Sequence, residues 1–251
     1  MALYFRMIDD CPLLVAANRD EHYDRPSAAP DLHGSNPTIL AGKDLVAGGT
    51  WLGINEYGLL VGILNRRSTS EAVLPTQSRS RGLLCLDLLG LKSAAEARAF
   101  VESREEPYQP FMVLFADTRE AGAAYNVQRE IKTFKLDPGL HVFGNTAEFS
   151  AQSEKLDHAY RQFSGALTSL QSIPRNISHW LHLLRSVLSD HALDNESVDP
   201  REAICVHGDI SGTVSSSIIF YSASERRFQS FYSPGPPCRT PFAQTLTLDV
   251  Q

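Results

Sequence analysis

A chain of 251 residues with 43% hydrophobic and 21% charged residues has the composition of an ordinary globular protein, large enough for one layered domain. Its formal net charge of −6, with no lysine and arginine cluster to offset it, argues against a nucleic-acid surface. No apolar run approaches the ~18 residues of a membrane-spanning helix, and MALYFRMIDD has neither signal-peptide nor transit-peptide character. Cys11, Cys85, Cys205 and Cys238 lie far apart with no C-x-x-C pair. They read as free thiols of a reducing compartment, signalling neither zinc nor a disulfide framework, and the expected location is the cytoplasm.

In chain order, Ala2 to Arg6 reads as a strand, Ile8 to Asp10 as a turn, and Pro12 to Ala17 as the returning strand. A turn centred between Asp9 and Asp10 pairs Ala2 with Ala17 and Met1 with Asn18. The returning strand then ends in Asn18-Arg19-Asp20-Glu21, followed by His22-Tyr23-Asp24-Arg25-Pro26. Charges delivered to the edge of a core must pair with one another or bind something. The partners of Arg19 to Glu21 would lie before Met1, so a native start further upstream is expected.

Ser27 to Pro37, rich in Pro, Ala, Ser and Asp, reads as a surface loop. Two short strands punctuated by glycines follow between Leu40 and Asn55, and Leu59 to Leu64 is a further strand that ends at Asn65. Helices are expected over Arg81–Leu91 and, capped by Ser93 with Glu96 completing a capping box, to about Ser103. Strands are expected at Phe111–Phe115, Ala124–Val127, Ile131–Lys135 and Leu140–Phe143. Amphipathic helices are expected at Glu154–Phe163 and Ile177–His191, and strands at Ala203–Val206, Ser215–Ser222 and Phe228–Tyr232. Strands run together at both ends with helices between, which favours a single antiparallel-rich α+β domain over residues 1–251.

Three strand-end amides, Asn18, Asn65 and Asn145, could donate to a developing oxyanion, or serve as turn and cap residues. Arg19 could grip a carboxylate, phosphate or oxyanion, and Asp20 could orient an amine or pair with Arg19 or Arg25. The segment His207 to Ser217 holds neither a G-x-S-x-G elbow nor a P-loop, and no H-x-x-x-H pair signals a metal. From the residues alone the reading ends at a polar pocket at strand ends.

AANRDEHYDRP closely resembles the hallmark of the NRDE family, which includes the transport and Golgi organisation protein 2 homologues. GGTWLGINEYGLL (Gly48–Leu60), the Asn65 exit with SRG (Ser80–Gly82), FGNT (Phe143–Thr146) and SGTVSSSII (Ser211–Ile219) resemble that family in the same order. The resemblance implies the four-layer αββα sandwich of N-terminal-nucleophile hydrolases, in which a terminal Cys, Ser or Thr attacks an amide and its own amine serves as base. Two departures stand out. Ala2 occupies the place where the family commonly has Cys, with Cys11 beyond the turn, and Val214 stands where relatives often carry Arg. The resemblance implies amide or thioester hydrolysis, with Arg19 and Asp20 positioning the amine and Asn65 and Asn145 the oxyanion. It equally implies a non-enzymatic role with haem or acyl-lipid, Arg19 meeting carboxylates and Trp51 and Tyr57 the apolar body, while a bare ion-pair lock is the third alternative. Glu21, Arg25, Thr213 and Ser215 complete the candidate ligand-binding set. The expected partner is a small molecule, no resident cofactor or metal is expected beyond haem as ligand, and oligomeric state stays open.

Overall fold

The computed structural model describes residues 1–66, 78–127, 130–145, 153–172, 176–193 and 199–251. Its elements begin with β1 (Ala2–Ile8), β2 (Cys11–His22), β3 (Ser27–His33), β4 (Ile39–Asp44), β5 (Leu52–Asn55) and β6 (Leu60–Asn65). Then come α1 (Arg81–Leu89), α2 (Ala94–Glu102), β7 (Phe111–Ala116), β8 (Ala121–Val127), β9 (Glu130–Leu136) and β10 (Gly139–Val142). The chain finishes with α3 (Glu154–Ser172), α4 (Ile177–Leu188), β11 (Ser211–Ser222), β12 (Arg227–Ser233) and β13 (Gln244–Asp249). Contacts divide it into two compact units, each assembled from separate segments: Met1–Arg25, Pro138–Phe143 and Gln152–Thr247 in the first, and Pro26–Asp137, Gly144–Ala151 and Leu248–Gln251 in the second.

The first unit is organised by a sheet in the order β10-β1-β2-β11-β12-β13. One sheet face is covered by α3 and α4. Ala159, Phe163, Ala166 and Leu170 of α3, and Trp180, Leu184, Val187 and Leu188 of α4, recur at helical spacing and pack with Tyr4, Leu14, Ala16 and Ile218. Asn176 caps α4 by accepting from the His179 N–H at 3.1 Å. The Tyr4 hydroxyl donates to the Phe163 carbonyl at 2.6 Å.

The β1–β2 hairpin differs from the expected register. Ala2 pairs with Ala16 and Phe5 with Leu13, whereas Ile8 pairs with Cys11. Arg6 and Met7 therefore oppose Pro12 alone, in a bulge whose Arg6 takes φ +54°. The extra residue shifts β2 by one place, so Ala2 faces Ala16 and not Ala17.

The second unit holds a seven-stranded meander, β3 through β9 in sequence order. Leu84 and Leu88 of α1 and Ala97 and Val101 of α2 pack with Val61, Phe111 and Val113. Ser93 caps α2 as expected, its hydroxyl accepting from the Glu96 N–H at 3.2 Å, while the Glu96 carboxylate takes the Lys92 N–H at 2.9 Å. Ser27 to His33 is a strand and not a loop, and β13 emerges from the Pro-rich tail. The expected strand Ala203–Val206 is instead an irregular, buried segment after a 3-10 turn at Pro200–Glu202.

Candidate functional site

β2 does not stop at the polar motif; it runs through Asn18 to Glu21 and ends at His22. Side chains along a strand alternate between faces, so the motif is divided in two. Asn18 and Asp20 continue the helix-covered face of Leu14 and Ala16. Arg19 and Glu21 continue the face of Leu13, Val15 and Ala17.

On the helix-covered face the polar groups are committed to one another. The Asn18 amide donates to the carbonyls of Leu188 and Ile204, each at 2.9 Å, and its oxygen accepts from the Ser216 hydroxyl at 2.6 Å. Both amide protons are thereby used in bracing the end of α4. Asp20 accepts from the Thr213 hydroxyl at 2.7 Å and lies 4.0 Å from the Lys155 ammonium. Thr213 in turn accepts from the Val206 N–H at 2.9 Å, and its own N–H donates to the Val206 carbonyl at 2.9 Å. The α-amino group of Met1 donates to the Phe143 carbonyl at 3.0 Å. Burial pushes its pKa down to about 6, against the pull of the Asp20 carboxylate.

A second bulge decides what reaches the other face. Thr213 pairs with Asp20 but Ser215 pairs with Arg19, so Val214 is the extra residue. Thr213 and Ser215, two apart in sequence, consequently serve opposite faces of the sheet. Arg19 is 9% exposed, with its guanidinium 3.8 Å from Glu21, and Arg25 meets the same carboxylate at 3.7 Å. Beside Arg19 the Ser215 hydroxyl is buried with no hydrogen-bond partner among the described residues. A guanidinium next to an uncommitted hydroxyl is a donor pair suited to a carboxylate or phosphate oxygen.

The remaining candidates belong to the second unit. Asn65 is the exposed last residue of β6, and Asn145 is exposed, while Thr146 lies outside the described residues. The Tyr57 hydroxyl donates to the Asn36 side chain at 3.0 Å, and the Trp51 ring lies where a Cβ on Gly42 would come within 2.8 Å of it. The GGTW and SRG motifs meet: the Thr50 N–H donates to the Gly82 carbonyl at 3.1 Å, and a Cβ on Gly49 would fall 2.2 Å from the Gly82 backbone. Ala2 and Cys11 are both buried in the helix-side core of the first unit, the thiol lying 3.5 Å from the Leu13 carbonyl.

Spacing along the chain carries no metal signal, yet folding brings His191, Cys205, His207 and Cys238 together, with one ligand atom from each lying within 4.8 Å of the others. Burial and the adjacent Cys238 thiol push Cys205 up to about 12, and burial holds His207 below its ordinary value, with Arg239 and His191 adding to the effect. Cys205-x-His207 was the only local hint, and its partners arrive from other segments.

A family model described as Transport and Golgi organisation 2 matches residues 1–230. The human Transport and Golgi organization protein 2 homolog is 31% identical over 231 residues, covering 84% of this chain and 82% of that protein. Among solved structures, penicillin V acylase from Agrobacterium tumefaciens superposes with a TM-score of 0.60 at 12% identity, over 99% of this chain and 86% of the other. The Caenorhabditis elegans N-acylethanolamine-hydrolyzing acid amidase ortholog gives 0.57 at 13%, over 100% and 99%. Both are N-terminal-nucleophile hydrolases, and at such identity the likeness shows the fold alone: the expected α+β sandwich type.

Proposed function

For this chain, which belongs to the Transport and Golgi organisation 2 family, we propose binding of a small amphipathic anion, held and not cleaved. The observation that carries this reading is the pairing of Arg19 with the buried, uncommitted Ser215 hydroxyl on one sheet face. A carboxylate seated there accepts from both groups, and the guanidinium charge is what favours an anion over a neutral isostere. The brace role of Asn18 supports it, because both protons of that amide are already engaged and none is left for an oxyanion. Haem, with its two carboxylates, and fatty-acyl species share the required chemistry. Titration of the protein with haem and with a long-chain fatty acid tests the reading. Saturable binding that weakens by about tenfold or more in Arg19→Ala and in Ser215→Ala is the expected result, since each lost charge-assisted bond is worth roughly 1.5–3 kcal/mol. Unchanged affinity in both variants overturns it.

A second reading, amide or thioester hydrolysis, is favoured by the Met1 amine. With its pKa at about 6 it can accept a proton at neutral pH, although neither Met1 nor Ala2 supplies a nucleophile for it to activate. The two solved structures are named for an acylase and an amidase. Sustained turnover of N-acyl amides or acyl thioesters by the purified chain would replace the binding reading with this one.

A further inference from the structure

We propose that His191, Cys205, His207 and Cys238 form a structural zinc site. Four protein ligands around zinc, at about 2.0–2.1 Å for nitrogen and 2.3 Å for sulfur, form a tetrahedron whose edges run about 3.3–3.8 Å. The Cys205 and Cys238 sulfurs are 3.7 Å apart, and His207 Nε2 lies 3.2 Å from the Cys238 sulfur and 3.8 Å from that of Cys205. The sulfurs are too far apart for a disulfide, which needs about 2.05 Å, and both cysteines are free. The rings of His191 and His207 tilt toward one another with centroids 5.0 Å apart.

The surroundings orient the ligands as metal sites require. Nδ1 of His191 lies 3.0 Å from the Cys205 carbonyl. A carbonyl can only accept, so Nδ1 carries the proton and Nε2 offers its lone pair, the usual arrangement for a zinc-bound imidazole. The three contributing segments are fixed independently of any ion. The Cys205 N–H donates to the Asp190 carbonyl at 2.8 Å, next to His191. Arg185 Nε donates to the Pro237 carbonyl at 2.8 Å, next to Cys238, and the Ser233 hydroxyl bonds within the same tail turn.

Binding zinc sends two thiol protons to solvent, and the resulting thiolates cancel the charge of the ion, so the partly buried site is left neutral. Two thiolates with two imidazoles select zinc over magnesium or calcium. Closure by four protein ligands marks the site as structural, with no open position for a reacting water. It ties the end of α4, the segment before β11 and the tail after β12 together. Val206, between Cys205 and His207, is the residue that Thr213 clasps while bonding to Asp20. Zinc therefore stiffens the support of the polar motif without touching it, and the inference stands whatever the site on β2 binds.

The test is metal analysis of the reduced, tag-free full chain after incubation with zinc and desalting, together with cobalt(II) substitution. About one zinc per chain is expected, and cobalt should give thiolate-to-metal charge-transfer bands with the intense visible absorption of tetrahedral coordination. Cys238→Ser and His191→Gln should each lose most of the bound metal, whereas Cys11→Ala should keep it. His191 is exposed, so that variant folds even if the serine variant does not, and circular dichroism checks both. Sub-stoichiometric zinc in the wild type, octahedral cobalt spectra, or full loading in His191→Gln and Cys238→Ser overturns the proposal.

Discussion

Asn18 and Asn55 do the same work in different units. Each sits on a strand and donates to the last carbonyl of a helix, Asn18 to Leu188 of α4 and Asn55 to Leu89 of α1 at 2.8 Å. Helix ends leave such carbonyls without intrahelical partners. Asn18→Ala should therefore destabilise the fold by about 2–3 kcal/mol, read from the urea midpoint, because two buried carbonyls and the Ser216 hydroxyl lose partners together. Ser215→Ala should behave in the opposite way, with stability unchanged or raised by about 1 kcal/mol, since its buried hydroxyl has no partner among the described residues. Burial raises the Tyr4 phenol well above its ordinary value. The folded chain then keeps a proton that the unfolded chain gives up near pH 10, so stability falls as pH climbs past about 10. Tyr4→Phe should flatten that alkaline slope in urea titrations. At this scale the sequence marked the polar cluster but not which far-off groups its members bond to. A polar cluster after an apolar run reads as a strand exit, and the groups that bury it, Leu188, Ile204 and Thr213, lie far along the chain.

Among the elements, helices were legible because leucines and alanines recur at helical spacing and caps such as Ser93 announce themselves. The two unexpected strands, β3 and β13, are both sheet edges. Edge strands tolerate residues such as Pro30 and show little alternating burial, so the period-two signal that exposes a strand is missing there. The bulges at Arg6–Met7 and Val214 were equally hidden, because a one-residue insertion leaves composition and periodicity almost unchanged. Yet the second bulge divides Thr213 from Ser215 and so creates the two-faced site. Gly49 of the GGTW motif has a plain steric cause, whereas its neighbour Gly48 takes φ +74° with open space around it. Gly49→Ala should cost about 2 kcal/mol or more, since its Cβ would strike the Gly82 backbone, which cannot rotate away. Gly165→Ala, in the middle of α3 with open space around it, should gain about 0.5–1 kcal/mol. Thermal melts of the pair give shifts of opposite sign.

For the molecule as a whole, the fold type was reached through the resemblance of separate motifs and not through periodicity. Antiparallel runs of strands with helices between them identify an α+β chain, whereas the hydrolase-like sandwich followed from the family. The metal cluster escaped because its ligands come from three segments whose convergence no spacing rule encodes. The division of β2 into a bracing face and a binding face is the claim on which the functional account turns. A single calorimetric comparison tests it: haem or fatty-acid titration of wild type and Ser215→Ala, with the melting temperature of each measured on the same preparations. Ser215→Ala should melt at or above the wild-type temperature while its affinity falls by about tenfold or more. Wild-type affinity in that variant, or a loss of binding that merely follows a loss of fold, contradicts it.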